Sequence, residues 1–157
     1  MRIKARHAAA AGAIVLATTL IAGFEGYVPY VYRDAVGVKT YCYGETQNPR
    51  AGHHYTKQEC TAQLSKRVAE FDAQVRNCMH VSMPAKVEAA YTDFAYNLGA
   101  GNFCRYIAPL ANAGKWEESC HKLTHFNHAG GRILRGLTVR RGKEEEFCLE
   151  GVREAGL

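Results

Sequence analysis

The chain has 157 residues, of which 47% are apolar and 22% charged, and its formal net charge is +5. This length and apolar content indicate one packed domain, or one domain in two small lobes, and exclude a disordered chain. The positive charge favours an anionic partner, but lysine and arginine are spread along the chain rather than blocked together, which argues against nucleic acid.

The N-terminus combines a basic flank with an uncharged stretch. Arg2, Lys4 and Arg6 precede residues 8–24, which carry no charge. This pattern indicates an export signal or a membrane helix whose N-terminus stays in the cytoplasm. The stretch is rich in Ala, Gly and Thr, and as a helix it falls slightly short of the ~30 Å hydrocarbon core. We therefore predict a segment that inserts into a membrane but holds there poorly.

Three interpretations of this segment remain open. A cleaved signal peptide needs small residues one and three positions before the cut, and a cut after Ala22 places Leu20 at the second of them. A permanent anchor needs a more apolar span. A reversible anchor fits the composition best, and the same residues could later serve as a core helix. We expect residues 1–24 to form this releasable segment and residues 25–157 to form the folded domain.

The number of cysteines indicates the redox compartment in which the protein resides. An even number behind an export segment predicts disulfides in an oxidising compartment, whereas the alternative is a cytoplasmic protein with buried free thiols. We expect most to be paired, with Cys120–Cys148 as one bridge between two C-terminal helices. Residues 1–24 contain no cysteine, so a thiol released from the membrane cannot trigger activity. The six cysteines are Cys42, Cys60, Cys78, Cys104, Cys120 and Cys148.

The segment after the apolar stretch predicts a small sheet and then a long helix. Residues 26–47 are rich in Tyr, Val and Thr, which favours short antiparallel strands, with a turn at 34–37. Thr56 and Glu59 form a capping box, and helical apolar spacing continues to about Cys78. This helix is long enough to join two lobes.

The C-terminal half carries further helical patterns. Pro84 opens a helix that Gly99 ends, and Trp116 is expected to anchor the core of the helical lobe. His121, His125 and His128 have a spacing that could ligate zinc, but a solvated or substrate-facing helix is the better interpretation, so we predict no metal and no cofactor. Further helices are expected near residues 103–113, 115–124 and 138–154, with breaks at Gly114 and Gly130-Gly131.

Two carboxyls and a hydroxyl follow the apolar stretch. Glu25, Asp34 and Thr40 are separated by eight and five residues. One carboxyl can act as an acid and the other as a base, and the hydroxyl can position water, as hydrolysis of a glycosidic bond requires. Taken singly, they are better explained as a polar cap, a turn residue and a strand former.

With the segments downstream, this triplet resembles the phage-type lysozymes. The similarity continues in order through Tyr41-Cys-Tyr-Gly44 and Tyr96-Asn-Leu-Gly-Ala-Gly-Asn102 to the C-terminal residues 126–131 and 136–147, and covers about residues 24–150. The weakly apolar N-terminus narrows the resemblance to the signal-arrest-release endolysins of lambdoid phages, which begin tethered to the inner membrane.

The resemblance implies an α+β lysozyme-like fold, with a small β-sheet lobe and a larger helical lobe joined by a long helix. It implies a monomeric endolysin that hydrolyses the β-1,4 bond between N-acetylmuramic acid and N-acetylglucosamine in peptidoglycan. Its partners would be peptidoglycan and, transiently, the inner membrane on the periplasmic side, before release into the periplasm.

The resemblance also implies roles for individual residues. Glu25 would be the general acid, Asp34 the base or electrostatic stabiliser, and Thr40 would hold the attacking water with Asp34, which favours inversion. Arg140, in preference to Arg141, would be the cleft arginine that contacts Glu25 and substrate. Two alternatives remain: a lytic transglycosylase, which uses no water, and a non-enzymatic wall-binding protein of the same fold.

Overall fold

The computed structural model describes the backbone of residues 2–34 and 37–157, with side chains from Ala11 onward. Within these ranges the chain forms two short hairpins and seven helices. The strands are β1 (Val28–Arg33), β2 (Lys39–Cys42), β3 (His128–Ala129) and β4 (Arg132–Ile133). The helices are α1 (Arg2–Glu25), α2 (Lys57–Cys78), α3 (Ala85–Leu98), α4 (Ala100–Tyr106), α5 (Ala108–Asn112), α6 (Trp116–Leu123) and α7 (Arg135–Ala155).

The small lobe contains the antiparallel pair β1 and β2, which confirms the predicted sheet. The register runs from Val28 opposite Cys42 to Arg33 opposite Lys39, with an irregularity between Val28 and Tyr32. The predicted turn at 34–37 includes residues 35 and 36, which lie outside the described residues. The strands thus join the end of α1 to the segment that leads into α2.

The long helix α2 joins the two lobes, as predicted. At its start the Glu59 backbone N–H donates to Thr56 Oγ1 at 3.1 Å, and Glu59 Oε2 accepts from the Thr56 backbone N–H at 2.7 Å, so the capping box is complete. Two disulfides tie this helix at its ends: Cys42–Cys60 to the small lobe and Cys78–Cys104 to the helical lobe.

The remaining disulfide, Cys120–Cys148, joins α6 to α7 and confirms the predicted bridge. All six cysteines are therefore paired. Trp116 is 9% exposed and belongs to the core of the helical lobe, as predicted. That core also contains Val75, Tyr91, Phe94, Phe103, Ile107, Leu123 and Val152.

Three features of the C-terminal half differ from the prediction. The helix expected over 103–113 is two helices, α4 and α5, because Pro109 lies in the first turn of α5 and has no N–H to continue α4. The hairpin β3–β4 was missed because its strands have two residues each; Gly130 and Gly131, both with positive φ, form its turn. Helix α7 begins at Arg135 rather than near residue 138.

Helix α1 packs on the folded body, against α2 and α3. Its buried face repeats every four residues, with Ala13, Ala17 and Ile21 at most 1% exposed. The opposite face remains open, and Val15 is 63% exposed. Among the residues that the structure describes, no helix is long and apolar enough to cross a membrane.

Candidate active site

Glu25 is the last residue of α1, where the helix gives way to β1. Gly26 has φ +69°, a left-handed conformation that suits glycine and turns the chain from the helix into the strand. The Glu25 side chain is 26% exposed. Its Oε1 accepts a hydrogen bond of 2.7 Å from Arg140 Nη1, although the two residues are 115 positions apart in sequence.

A glycine lies against the other oxygen of this carboxyl. Tyr41 and Glu45 exchange two backbone hydrogen bonds of 2.9 Å, which close a tight turn after β2. Gly44, within this turn, has φ +84°, and a Cβ placed on it would lie 3.7 Å from Glu25 Oε2. The small lobe therefore approaches the carboxyl through a backbone that carries no side chain.

Arg140 is itself positioned by Asp93 and Phe24. Its Nε donates to Asp93 Oδ1 at 3.1 Å, and its guanidinium lies 5.0 Å from the centre of the Phe24 ring. Asp93 on α3 is fully buried, and the Arg140 side chain is only 7% exposed. Burial works against the charge of Arg140, but the carboxylates of Asp93 and Glu25 outweigh it and raise the pKa of the guanidinium above its ordinary value.

Tyr96 adds a half-buried hydroxyl to this side of the site. Burial, with the nearby carboxylates of Glu25 and Glu45 adding to it, raises the pKa of Tyr96 to about 12. The phenol therefore remains protonated across the physiological range. Its ring packs edge-on against Phe71, with the ring centres 5.3 Å apart.

Asp34 and Thr40 lie at the far end of the hairpin, and both contact Val38. Asp34 Oδ1 accepts from the Val38 backbone N–H at 2.8 Å, and Thr40 Oγ1 donates to the Val38 carbonyl at 3.1 Å. Thr40 is 4% exposed. Because its proton is committed to the backbone, its oxygen keeps only its acceptor capacity for a water.

The candidate residues thus form two groups, which are the two sides of the candidate site. Glu25 and Arg140 stand where α1, α3 and α7 meet, and Asp34 and Thr40 stand on the hairpin. Chemically, the first side offers a half-buried carboxyl and the second offers a carboxylate with a hydroxyl. Such a division suits a proton donor on one side of a glycosidic bond and an activated water on the other.

Three residues of this site escaped sequence reasoning: Asp93, Tyr96 in its present role, and Gly44 as a close neighbour of Glu25. Asp93 had a usable signal. It lies in a run of small and apolar α3 residues that are all buried, and a carboxyl buried in such a run needs a cationic partner.

Two of the three histidines that have zinc-like spacing contact other side chains. His121 Nδ1 lies 2.6 Å from Glu145 Oε1, and His125 Nδ1 lies 3.4 Å from Lys122 Nζ. Across the part of the chain that the structure describes, no three His, Cys, Asp or Glu side chains are grouped as metal ligands would be.

Comparison with known proteins identifies the family of this chain. Residues 22–144 match the family model for phage lysozyme. The chain is 37% identical to the SAR-endolysin of Enterobacteria phage PA-2 over 150 residues, covering 89% of this chain and 90% of the relative. It is 35% identical to the SAR-endolysin of Bacteriophage PS119, covering 96% of this chain and 95% of the relative.

Solved structures show the same fold. The active form of the P1 phage endolysin Lyz superposes with a TM-score of 0.78 at 28% identity, covering 87% of this chain and 84% of that one. The secreted inactive form of the same endolysin gives a TM-score of 0.52 and covers 66% of this chain and 75% of that one. The chain therefore belongs to the phage lysozyme family, among the SAR-endolysins, and is a peptidoglycan-lysing endolysin with a lysozyme-type glycoside hydrolase fold and activity.

Proposed function

We propose that this endolysin hydrolyses the β-1,4 bond between N-acetylmuramic acid and N-acetylglucosamine, with Glu25 as general acid and Asp34 as general base. The observation that carries the proposal is the Glu25 carboxyl, partly exposed at the end of α1 and oriented by the buried Arg140. Glu25 protonates the leaving oxygen. Thr40 Oγ1 accepts a hydrogen bond from the attacking water, Asp34 takes the water's other proton, and attack by that water inverts the anomeric centre.

The buried position of Arg140 sets its role. With one N–H on Glu25 and another on Asp93, Arg140 acts first on the carboxyl and only through it on the sugar. Its contribution is to fix the orientation of the acid, since a misplaced donor loses much of its catalytic advantage.

The catalytic proposal is tested by clearing of permeabilised Gram-negative cells. Glu25→Gln should reduce the clearing rate by about 10²–10⁴-fold, the usual contribution of general acid catalysis, while binding to purified wall is kept. The matched control is Glu117→Gln, because Glu117 is an exposed carboxyl on α6. Clearing by Glu25→Gln at the wild-type rate would contradict the proposal, and anhydro sugars in the released muropeptides would indicate a transglycosylase.

We also propose that residues 1–24 first hold the chain in the inner membrane, facing the periplasm, and that release produces the active monomer in the periplasm. Two observations support this order. Helix α1 contributes Ala17 and Ile21 to the core next to Tyr41 and Leu64, so the packed body needs it. The chain also superposes better on the active form of the P1 endolysin than on the inactive one.

The membrane proposal is tested on the exposed face of α1. Gly12, Thr19 and Gly23 point away from the core, and a Cβ at either glycine would meet nothing within 4 Å. Replacing the three with Leu should strengthen membrane retention without disturbing packing. We expect more protein in the membrane pellet and later lysis. Lysis on the wild-type schedule by chains that are still membrane-bound would show that release is not the controlling step.

A further inference from the structure

The turn that carries Gly44 is fixed by a buried carboxylate next to it. Glu45 is only 8% exposed. Its Oε1 accepts hydrogen bonds of 2.8 Å from the backbone N–H groups of Thr46 and Gln47. The side chain therefore organises the chain on the C-terminal side of Gly44, in addition to the two backbone hydrogen bonds between Glu45 and Tyr41.

The other oxygen of this carboxylate fastens the turn to the long helix α2. Glu45 Oε2 accepts a hydrogen bond from Gln63 Nε2, and Arg67 Nε lies 3.9 Å from the same oxygen. Gln63 and Arg67 are four positions apart and so lie on one face of α2. Because a buried carboxylate that loses its partners is costly, the turn has little freedom to move away from this helix.

Gly44 lies between two attachments to α2. Cys42, before it, is joined to Cys60 by a disulfide, and Glu45, after it, contacts Gln63, about one helical turn further along α2. Glycine has no Cβ to restrict its backbone, so its position depends on what holds its neighbours. Held on both sides, the glycine stays beside the carboxyl at the end of α1.

We infer that Glu45 is a positioning residue for the acid: its carboxylate holds the turn of residues 41–47 on α2 and thereby keeps the Gly44 backbone against Glu25. The inference rests on the proposed role of Glu25. Gly44 limits the space open to Glu25 Oε2, whereas Arg140 fixes Oε1. If the turn moved away, the carboxyl would gain rotational freedom, and proton transfer to the leaving oxygen would slow.

The first test measures the turn itself and needs no activity. In Glu45→Met the backbone N–H groups of Thr46 and Gln47 lose their acceptor, so their hydrogen exchange, followed by NMR, should become about tenfold faster. Glu45→Gln should keep most of the protection. Its amide oxygen can accept both bonds, and its NH2 can donate to Gln63 once that amide rotates. Unchanged exchange in Glu45→Met would overturn the inference.

Glu70→Met is the matched control for this series. Glu70 is a half-exposed glutamate on α2 that also pairs with Arg67. Its removal takes a carboxylate from the same arginine without touching the turn. Exchange at Thr46 and Gln47 and the turnover rate should both stay at the wild-type values. Losses equal to those of Glu45→Met would show that the effect belongs to the helix surface, which contradicts the inference.

The second test is kinetic and uses a soluble peptidoglycan oligosaccharide. Glu45→Met should lower kcat about tenfold and leave KM within about twofold, because the acid is displaced whereas the buried Glu45 side chain is not a binding surface. Glu45→Gln should keep kcat within about threefold of wild type. A rise in KM at unchanged kcat, or equal losses of kcat in the two variants, would overturn the positioning role.

An exchange of partners tests the link to α2. Gln63→Glu places two carboxylates against each other and should lower kcat about fivefold. Adding Glu45→Gln restores one donor and one acceptor with their roles reversed, and should return kcat to within about twofold of the Glu45→Gln value. A double variant no better than Gln63→Glu would show that this contact does not hold the turn.

The outcomes for Glu25 and Glu45 are separable. If Glu25→Gln clears cells at the wild-type rate, the proposed function fails, and with it the acid that Glu45 would position, even where the exchange data show that Glu45 holds the turn. If Glu25→Gln is inactive and Glu45→Met keeps the wild-type kcat, the proposed function stands and the positioning role is overturned. Should Glu45→Met not fold, the exchange of partners with Gln63 decides the question.

Discussion

The two sides of the candidate active site are built in different ways. Glu25 is oriented by residues from distant parts of the chain: Arg140 donates to it, Asp93 holds Arg140, and Gly44 closes over the other oxygen. Asp34 and Thr40 have local partners in the structure, and each bonds to Val38 in the same hairpin. The acid side is therefore rigid through tertiary packing, whereas the hairpin side depends on a two-stranded sheet, which is marginal alone.

This difference predicts how substitutions on each side should affect activity and stability. The acid side shares its partners with the core, so its loss should cost both activity and stability. The hairpin side packs on the core through Tyr41 and is also fastened to α2 by the disulfide Cys42–Cys60, so its geometry should depend on that link as well as on packing.

The largest effect is expected when the acid side is broken at Arg140. Arg140→Met leaves Asp93 buried without its cation, which should cost about 3–5 kcal/mol of unfolding free energy, and frees the Glu25 carboxyl, which should lower clearing by about 10²-fold. Denaturant unfolding and clearing assays measure the two effects. The exposed Arg105 provides the control as Arg105→Met. An active, stable Arg140→Met would show that the acid needs no such support.

A smaller effect is expected when the hairpin loses its link. Replacing Cys42 and Cys60 with Ala should cost about 3 kcal/mol, as for a short closed loop. The pair Cys120 and Cys148, far from Thr40 in the helical lobe, should cost a similar amount. Measured below both unfolding transitions, clearing should fall in the first variant and persist in the second. Equal activities would mean that the sheet keeps its shape without the bridge.

Gly44 and Gly52 form a pair that sharpens the comparison further. Both have a left-handed φ, +84° and +76°, but only Gly44 has Glu25 within 4 Å of an added Cβ. Gly44→Ala and Gly52→Ala should each cost about 1–2 kcal/mol through backbone strain. Only Gly44→Ala should reduce clearing, by a factor of about three, because its methyl would stand in van der Waals contact with Glu25 Oε2 and relief of the backbone strain would shift the turn beside the carboxyl. A parallel loss in Gly52→Ala would point to strain alone.

The smallest effect is expected at the start of α2. Hydrogen bonds from the Thr56 backbone and from His53 lower the pKa of Glu59 to about 2. Because the folded pKa is depressed, this carboxylate stabilises the protein above its unfolded value near 4.3 and stops doing so as the pH falls towards 2. Glu59→Gln should therefore lower the melting temperature slightly at pH 7 and leave it unchanged at pH 2, with activity intact. A difference that persists at pH 2 would contradict this.

Much of this architecture could be predicted because it depends on residues that are close together in sequence. The capping box at Thr56, the strands on either side of residue 34 and the helix between Pro84 and Gly99 depend on neighbours a few positions away. The resemblance to phage-type lysozymes singled out Glu25, Asp34 and Thr40, because the triplet is followed in order by the matching downstream segments; their catalytic roles are a proposal.

What could not be predicted depends on contacts between distant residues. Asp93 meets Arg140 across 47 positions, and no local pattern shows which arginine a buried carboxyl will find. The β3–β4 hairpin escaped because two-residue strands have no periodicity. Similarly, Ala13 and Ala17 proved more buried than Ile14 or Leu20, because close approach of α1 to α2 and α3 selects small side chains.

The stripe of Ala13, Ala17 and Ile21 has a consequence for evolution. If residues 1–24 serve first as a membrane segment, every residue on that stripe must be compatible with two environments, first the lipid bilayer and then the protein interior. A bulkier residue would satisfy the bilayer and spoil the core, and a polar one would do harm in both places. Sequence variation among relatives should therefore be concentrated on the outer face, around Val15 and Thr19. A substitution there would change the timing of lysis without changing the packing of the folded enzyme.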